Sequence, residues 1–152
     1  MRVLVQRSLN SSVKVDNKVI GAIDKGLVLL VGFTYGDSIN DIEYIIKKVL
    51  NLRIFDDENG VMNKSILDVG GKILSISQFT LYADCKNGNR PSYIKSLKAE
   101  EASKMYDLFN EKLKENIEVQ TGKFQADMLV SIENDGPVTI MLESDDKYVK
   151  ER

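Results

Sequence analysis

The chain has 152 residues, of which 43% are hydrophobic and 29% charged, and its net charge is −2. That is the composition of one soluble globular domain, large enough to bury a core, with none of the basic excess expected of a broad nucleic-acid surface. It contains no histidine and one cysteine, which excludes imidazole general bases, Ser-His-Asp and Cys-His nucleophiles, intrachain disulfides and the common zinc sites.

In chain order, Arg2 to Arg7 alternates apolar and polar, as a half-buried strand does. Ser12 to Asp16 and Lys18 to Ile23 read as two strands around an Asp16-Asn17 hairpin turn. Gly26 opens the run Leu27-Val28-Leu29-Leu30-Val31-Gly32-Phe33, a strand covered on both faces. Asp37 and Ser38 are good helix caps, and Ile42, Ile45, Ile46 and Val49 follow at the spacing of one apolar helix face, which ends near Arg53. Asp56 to Gly60 is an acidic turn whose glycine falls in the wrong place for a calcium loop. Gly70-Gly71 precedes a strand over Lys72 to Phe79, with no phosphate-loop pattern. A loop over Asn87 to Ser92 leads to a second helix from Ala99 to Lys114, whose inner face is Ala102, Met105, Phe109 and Leu113. Ile117 to Thr121, Met128 to Glu133 and Val138 to Glu143 are closing strands, and Ser144 to Arg152 is a loose charged tail. Two helices and about seven strands predict a single α/β domain over residues 1–152, layered as helices, sheet and further sheet.

No apolar run approaches the ~20 residues of a membrane span, and Met1 to Arg7 turns polar too quickly for a signal peptide. With Cys85 alone, a reducing cytoplasm is the expected compartment.

Two stretches stand out chemically. Gly136-Pro137 sits where a strand should begin; proline has no N–H for a ladder and glycine permits close backbone approach, so the pair makes a stiff corner able to present carbonyl oxygens. An ordinary turn is the plainer reading. Ser77-Gln78-Phe79-Thr80 runs from a buried strand into polar side chains, a place where backbone N–H groups can stabilise an oxyanion, or where hydroxyls simply satisfy neighbouring strands. Thr80 and Cys85 are weak nucleophile candidates without a histidine beside them. Asp84, Asp127, Glu133 and Asp135 are scattered acids, solvated rather than metal-binding, so no metal and no cofactor is expected. Lys86, Arg90, Lys95 and Lys98 form the best basic cluster, a solvated face or a place for one or two phosphates. Phe124 and Met128 are core residues or a sandwich for a base ring.

These residues carry a resemblance over nearly the whole chain. Val5-Gln6-Arg7, Arg53-Ile54-Phe55, Met62-Asn63, Ser77-Gln78-Phe79-Thr80-Leu81, Gly88-Asn89-Arg90-Pro91-Ser92, Thr121-Gly122-Lys123-Phe124, Ala126-Asp127-Met128 and Asn134-Asp135-Gly136-Pro137-Val138-Thr139 together resemble the D-aminoacyl-tRNA deacylases of the Gly-cisPro type. Each stretch is weak alone; their order and intervals make the set specific. The resemblance implies a three-layer α/β/β fold with mixed sheets, and hydrolysis of the ester between a D-amino acid, or glycine, and the terminal ribose of tRNA. It implies a homodimer in which the cis Gly136-Pro137 corner of one subunit enters the other's pocket and rejects L-amino acids. Ser77, Gln78, Phe79 and Thr80 are then the catalytic floor, acting through backbone and positioning, and Arg7, Phe124 and Met128 bind substrate. Two alternatives are a nucleic-acid-binding module without turnover and a threonine-nucleophile hydrolase.

Overall fold

The computed structural model describes residues 1–148. Three strands open the chain: β1 (Arg2–Val15), β2 (Lys18–Ile23) and β3 (Gly26–Gly32). Helix α1 (Ile39–Asn51) follows, then the short hairpin β4 (Phe55–Asp56) and β5 (Met62–Lys64), then β6 (Lys72–Ser77). Helix α2 (Ala99–Lys114), β7 (Val119–Thr121) and β8 (Leu129–Glu143) complete the regular elements. Among the described residues no helix is long and apolar enough to cross a membrane.

The main sheet runs β2-β1-β3-β6-β7, with β8 on the other flank of β1. It is mixed: β1 pairs antiparallel with β2, β3 and β8, whereas β3–β6 and β6–β7 are parallel. The apolar run in β3 is explained by its two covered faces. Leu27, Leu29 and Val31 pack with both helices in the larger core, while Val28 and Leu30 face a second cluster with Val13, Ile23, Leu74 and Ile76. Helices therefore cover one face of the sheet, and the far ends of β1 and β8 with β2 cover the other, in a three-layer α/β/β arrangement.

Two expected breaks in strands are absent. The polar stretch Ser8-Leu9-Asn10 does not end β1; it marks where the strand bends and exchanges β3 for β2 as its neighbour. Likewise 129–143 is one strand, and its irregularity is absorbed as a change of register against β1. Asp16 and Asn17 turn the first hairpin with φ of 50° and 63°, a conformation these two residue types tolerate better than most.

Helix α1 starts as its sequence indicates. Ser38 accepts from the backbone of Asn40 and the Asp41 carboxylate accepts from the Ser38 N–H, a reciprocal cap. The inner face of α2 departs by one position from the expected phase: Tyr106 is buried and Met105 only half-buried.

Residues 144–148 are also not loose. They form a 3-10 turn whose Ser144 is fully buried, with the Ser144 hydroxyl accepting from the Met1 ammonium at 2.7 Å. Lys147 pairs with Asp41, and the Met1 ammonium pairs with Asp37 at 2.7 Å. The short polar run had looked like a tail because its partners lie more than a hundred residues away in sequence. Residues 149–152 of the expected tail lie outside the described residues.

Burial pushes the Asp41 carboxyl up, but hydrogen bonds from Lys147, Ser144 and the Ser38 backbone outweigh it and hold the group well below the usual carboxylate range. A lowered folded pKa contributes stability above the unfolded value of about 3.9 and loses it as the pH falls towards the folded value. Asp41→Ala is predicted to cost about 2–4 kcal/mol at pH 7, since it removes a cap and leaves Lys147 unpaired. In urea unfolding followed across pH, that difference should hold steady above about pH 5 and shrink below about pH 4.

Candidate active site at the end of the parallel strands

The sheet opens into one well-formed cavity of about 570 Å³, within the range of small-ligand sites. Its floor comes from the ends of β3 and β6, at Val31, Gly32, Phe33, Ile76 and Ser77, and from Gln78 and Phe79. Ala99 and Ala102 of α2 form one wall, and the 124–128 segment with Val130 forms the other.

Local chemistry explains why the floor turns where it does. Strand β6 ends at Ser77, two residues short of the expected Phe79, and the chain enters a 3-10 turn over Phe79–Tyr82. Gly32 lets β3 come close: a Cβ there would stand 3.0 Å from the Gln78 carbonyl oxygen and 3.3 Å from Leu81 Cβ. The Gln78 N–H is used by the Val31 carbonyl at 2.7 Å. The next two N–H groups, of Phe79 and Thr80, have no acceptor among the described residues. A pair of unpaired backbone donors at the edge of a half-polar cavity can stabilise a developing oxyanion.

Of the expected site residues, Ser77, Gln78, Phe79, Phe124 and Met128 are gathered in this cavity. Thr80 lies just beyond its lining, and its hydroxyl accepts a hydrogen bond from Gln78 Nε2. Asp84, the nearest acid in sequence, is turned elsewhere. Its carboxylate accepts from the Lys86 N–H and pairs with Lys95 at 3.3 Å, and these contacts hold its pKa below the usual range. The threonine-nucleophile reading therefore lacks a base on this side of the residue.

Arg7, Gly136 and Pro137 are not in the cavity of their own chain. Gly136 and Pro137 are exposed, and their peptide bond is cis. Between the Gln6–Thr139 and Ser8–Asn134 pairs, β8 spends five residue steps against two of β1, so residues 135–138 loop out of the ladder. Proline costs no ladder hydrogen bond there. The corner is firmly held. Asn134 Nδ2 donates to the Arg7 and Val138 carbonyls at 3.0 and 3.1 Å, closing the loop at its base. Beneath it lies the buried Arg7 guanidinium, which donates to the Ile54 carbonyl at 2.8 Å and reaches the Asp135 carboxylate at 3.2 Å. Gly136 has φ of +117°, and a Cβ there would stand 2.9 Å from Arg7 Nη2 and 3.0 Å from Val138 Cγ2. No other residue type fits that position without displacing its supports.

Two contributors to the cavity escaped the sequence reading. Gly122 has no Cβ where one would press within 2.5 Å of Met128 Sδ, so the Met128 side chain folds back against the wall. Tyr106 donates its hydroxyl to the Ser75 carbonyl at 2.7 Å and sets its ring 6.1 Å from Phe124. Burial raises the pKa of that hydroxyl, so it stays a donor at neutral pH.

A layered α/β/β domain thus carries a half-polar cavity at the C-terminal ends of two parallel strands, with unpaired backbone donors at its edge. Two solved structures share the fold: one titled "c-Myc DNA Unwinding Element Binding Protein" (TM-score 0.90, 40% identity, 94% of this chain and 98% of that one), and one titled "Structural Analysis of a probable eukaryotic D-amino acid tRNA deacylase" (TM-score 0.79, 17% identity, 93% and 97%). Residues 4–143 match the family described as D-Tyr-tRNA(Tyr) deacylase, and the chain belongs to that family. Among its relatives are the D-aminoacyl-tRNA deacylases of Clostridium tetani, 60% identical over 95% of this chain and 97% of the relative, and of Clostridium novyi, 57% identical over 97% and 100%.

Tyr106→Phe deletes the hydroxyl and keeps the ring. It is predicted to lower the unfolding free energy by about 1 kcal/mol, because the Ser75 carbonyl retains the Gly122 N–H as a second partner. Tyr106→Ala also empties a buried ring site and should cost about 3–5 kcal/mol in the same urea titration.

Proposed function

We propose that this chain hydrolyses the ester bond of D-aminoacyl-tRNA and of glycyl-tRNA, releasing the amino acid and free tRNA. The observation that carries the reading is the floor of the cavity: unpaired N–H groups of Phe79 and Thr80 beside Ser77 and Gln78, in a chain that belongs to this family. The terminal adenosine enters between Phe124 and Met128, and the aminoacyl carbonyl points at the floor. Water attacks the carbonyl carbon, and the carbonyl oxygen takes up negative charge against the two N–H groups. Collapse breaks the bond to the 3′ oxygen, which receives the water proton by way of the neighbouring 2′-hydroxyl. The protein contributes placement and oxyanion stabilisation, a division of labour suited to a chain without histidine.

Selection is by exclusion. In this reading the protein is a homodimer, and the exposed Gly136-Pro137 corner of one subunit enters the cavity of the other. A hydrogen on the amino acid's α-carbon passes the corner, whereas an L side chain collides with its carbonyl oxygens. Glycine passes because it presents only hydrogens. Arg7 acts through the corner it supports. The proposed setting is the cytoplasm, where the tRNA pool is.

The name of the DNA-unwinding-element binding protein supports a second reading, nucleic-acid binding without turnover. The net charge of −2 disfavours a broad duplex surface, and turnover separates the two readings.

Purified protein should hydrolyse D-tyrosyl-tRNA and leave matched L-tyrosyl-tRNA at its spontaneous rate. Equal rates on the two would overturn selection by the corner, and no rate on either would favour the binding-only reading. A D-aminoacyl-tRNA ending in 2′-deoxyadenosine should bind yet react about 10²–10⁴-fold more slowly in single turnover, the usual worth of acid–base assistance. Equal deoxy and ribo rates would mean that a protein group supplies the base.

A further inference from the structure

The segment from Asp84 to Lys98 has properties that the cavity chemistry does not use. It carries Lys86, Arg90, Lys95 and Lys98 against the single acid Asp84, a net +3 in a chain that is −2 overall. Asp84 is taken by Lys95, while Lys86, Arg90 and Lys98 make no ion pair among the described residues.

Among these cations lies apolar surface held facing solvent. Phe79 is 55% exposed, Tyr93 43% and Ile94 78%. Phe79 and Tyr93 meet edge to face, centroids 5.1 Å apart. This is not a floppy loop. Asp84 and Ser92 exchange backbone hydrogen bonds at 2.8 and 2.9 Å, the Thr34 hydroxyl donates to the Lys95 carbonyl at 2.6 Å, and the Ser96 hydroxyl donates to the Phe79 carbonyl at 3.0 Å. Rings so exposed and so fixed lose little freedom when something stacks on them. Phe79 belongs both to this surface and to the lining of the cavity, so the two are continuous.

We propose that this segment is a landing platform for the unpaired 3′ strand of the tRNA, the nucleotides just before the terminal adenosine. The proposal rests on the deacylase reading and adds to it how the substrate's strand is held outside the cavity. Aromatic faces with interspersed cations are the chemistry of single-stranded nucleic acid: bases stack on the rings while phosphates meet Lys86, Arg90 and Lys98. A docking surface for protein would be poorer in lysine at its centre. A duplex has no unstacked bases to offer the rings. Three cations match a few phosphates, which agrees with the weakly acidic chain as a whole.

The test compares D-tyrosyl-tRNA with D-tyrosyl-adenosine, which fills the cavity but has no strand to reach the platform. Lys86→Ala with Arg90→Ala is expected to lower kcat/KM on the tRNA about 10-fold, through KM. It should also flatten the slope of log kcat/KM against log salt by about 0.7 for each cation removed. Tyr93→Ala should weaken tRNA turnover by a similar factor without flattening the salt slope. Hydrolysis of D-tyrosyl-adenosine by the double variant should stay within about twofold of the unmodified protein. An equal loss on both substrates, or no loss on the tRNA, would overturn the platform. So would a change of sedimentation mass in Ile94→Glu, which would make the patch a contact between copies. If the unmodified protein turns over neither substrate, the deacylase reading fails by itself. The platform is then judged by filter binding of uncharged tRNA: weakening by the double variant supports it, and unchanged binding overturns it.

Discussion

The register of β8 on β1 is the constraint on which the rest depends. One strand carries both halves of the proposed site: Val130 in the cavity wall, and Gly136-Pro137 six residues further on. Because β8 is hydrogen-bonded to β1 on both sides of the corner, the ladder fixes where the corner stands relative to the cavity wall. A one-residue slip would turn Val138, Ile140 and Leu142 away from the helices, so the register is protected by the burial of a whole strand face. In the proposed dimer, each chain would offer its cavity to the partner's corner and its corner to the partner's cavity.

The same economy governs the chemistry. In the proposed reaction, rigid backbone does the work usually given to side chains with tuned pKa values, and the surroundings hold that backbone in place. Gly32 admits the strand end that orients the floor, and Tyr106 ties β6 to α2 just beneath it. At the corner, the buried Arg7 charge is satisfied by the Ile54 carbonyl and the Asp135 and Asp56 carboxylates. Removing both carboxylates would leave the buried guanidinium with only carbonyl partners, a larger penalty than losing a surface ion pair.

How much of this was legible in the sequence depended on how local each signal is. The continuous apolar run of β3, the Ser38 cap and the α1 face are set by neighbours within a few residues, and each appears as read. The Ser77 to Phe79 stretch stood out because a buried strand runs into polar side chains there, and Gly136-Pro137 because glycine and proline are disfavoured inside strands. What the sequence hid is long-range. Whether Met105 or Tyr106 faces inward depends on how α2 sits against β6, and a rotation of one residue exchanges them. Arg7 looks like any strand-end cation until β8 loops over it. The docking of residues 144–148 rests on partners at Met1 and Asp41, and polar composition alone made it read as a tail.

Mixed dimers test the central claim most directly. One subunit would carry Gly136→Ala, which spoils the corner, and the other Ala102→Phe, which fills the cavity. Alone, Ala102→Phe should form an inactive dimer, and Gly136→Ala a dimer that hydrolyses D- and L-tyrosyl-tRNA alike. If the corner acts across subunits, a mixed dimer has its one open cavity facing the one intact corner, so it should hydrolyse D-tyrosyl-tRNA at about half the unmodified rate per dimer and leave L-tyrosyl-tRNA at its spontaneous rate. Hydrolysis of L-tyrosyl-tRNA by the folded mixed dimer, or a monomer that is fully active and still rejects L-tyrosyl-tRNA, would contradict the account.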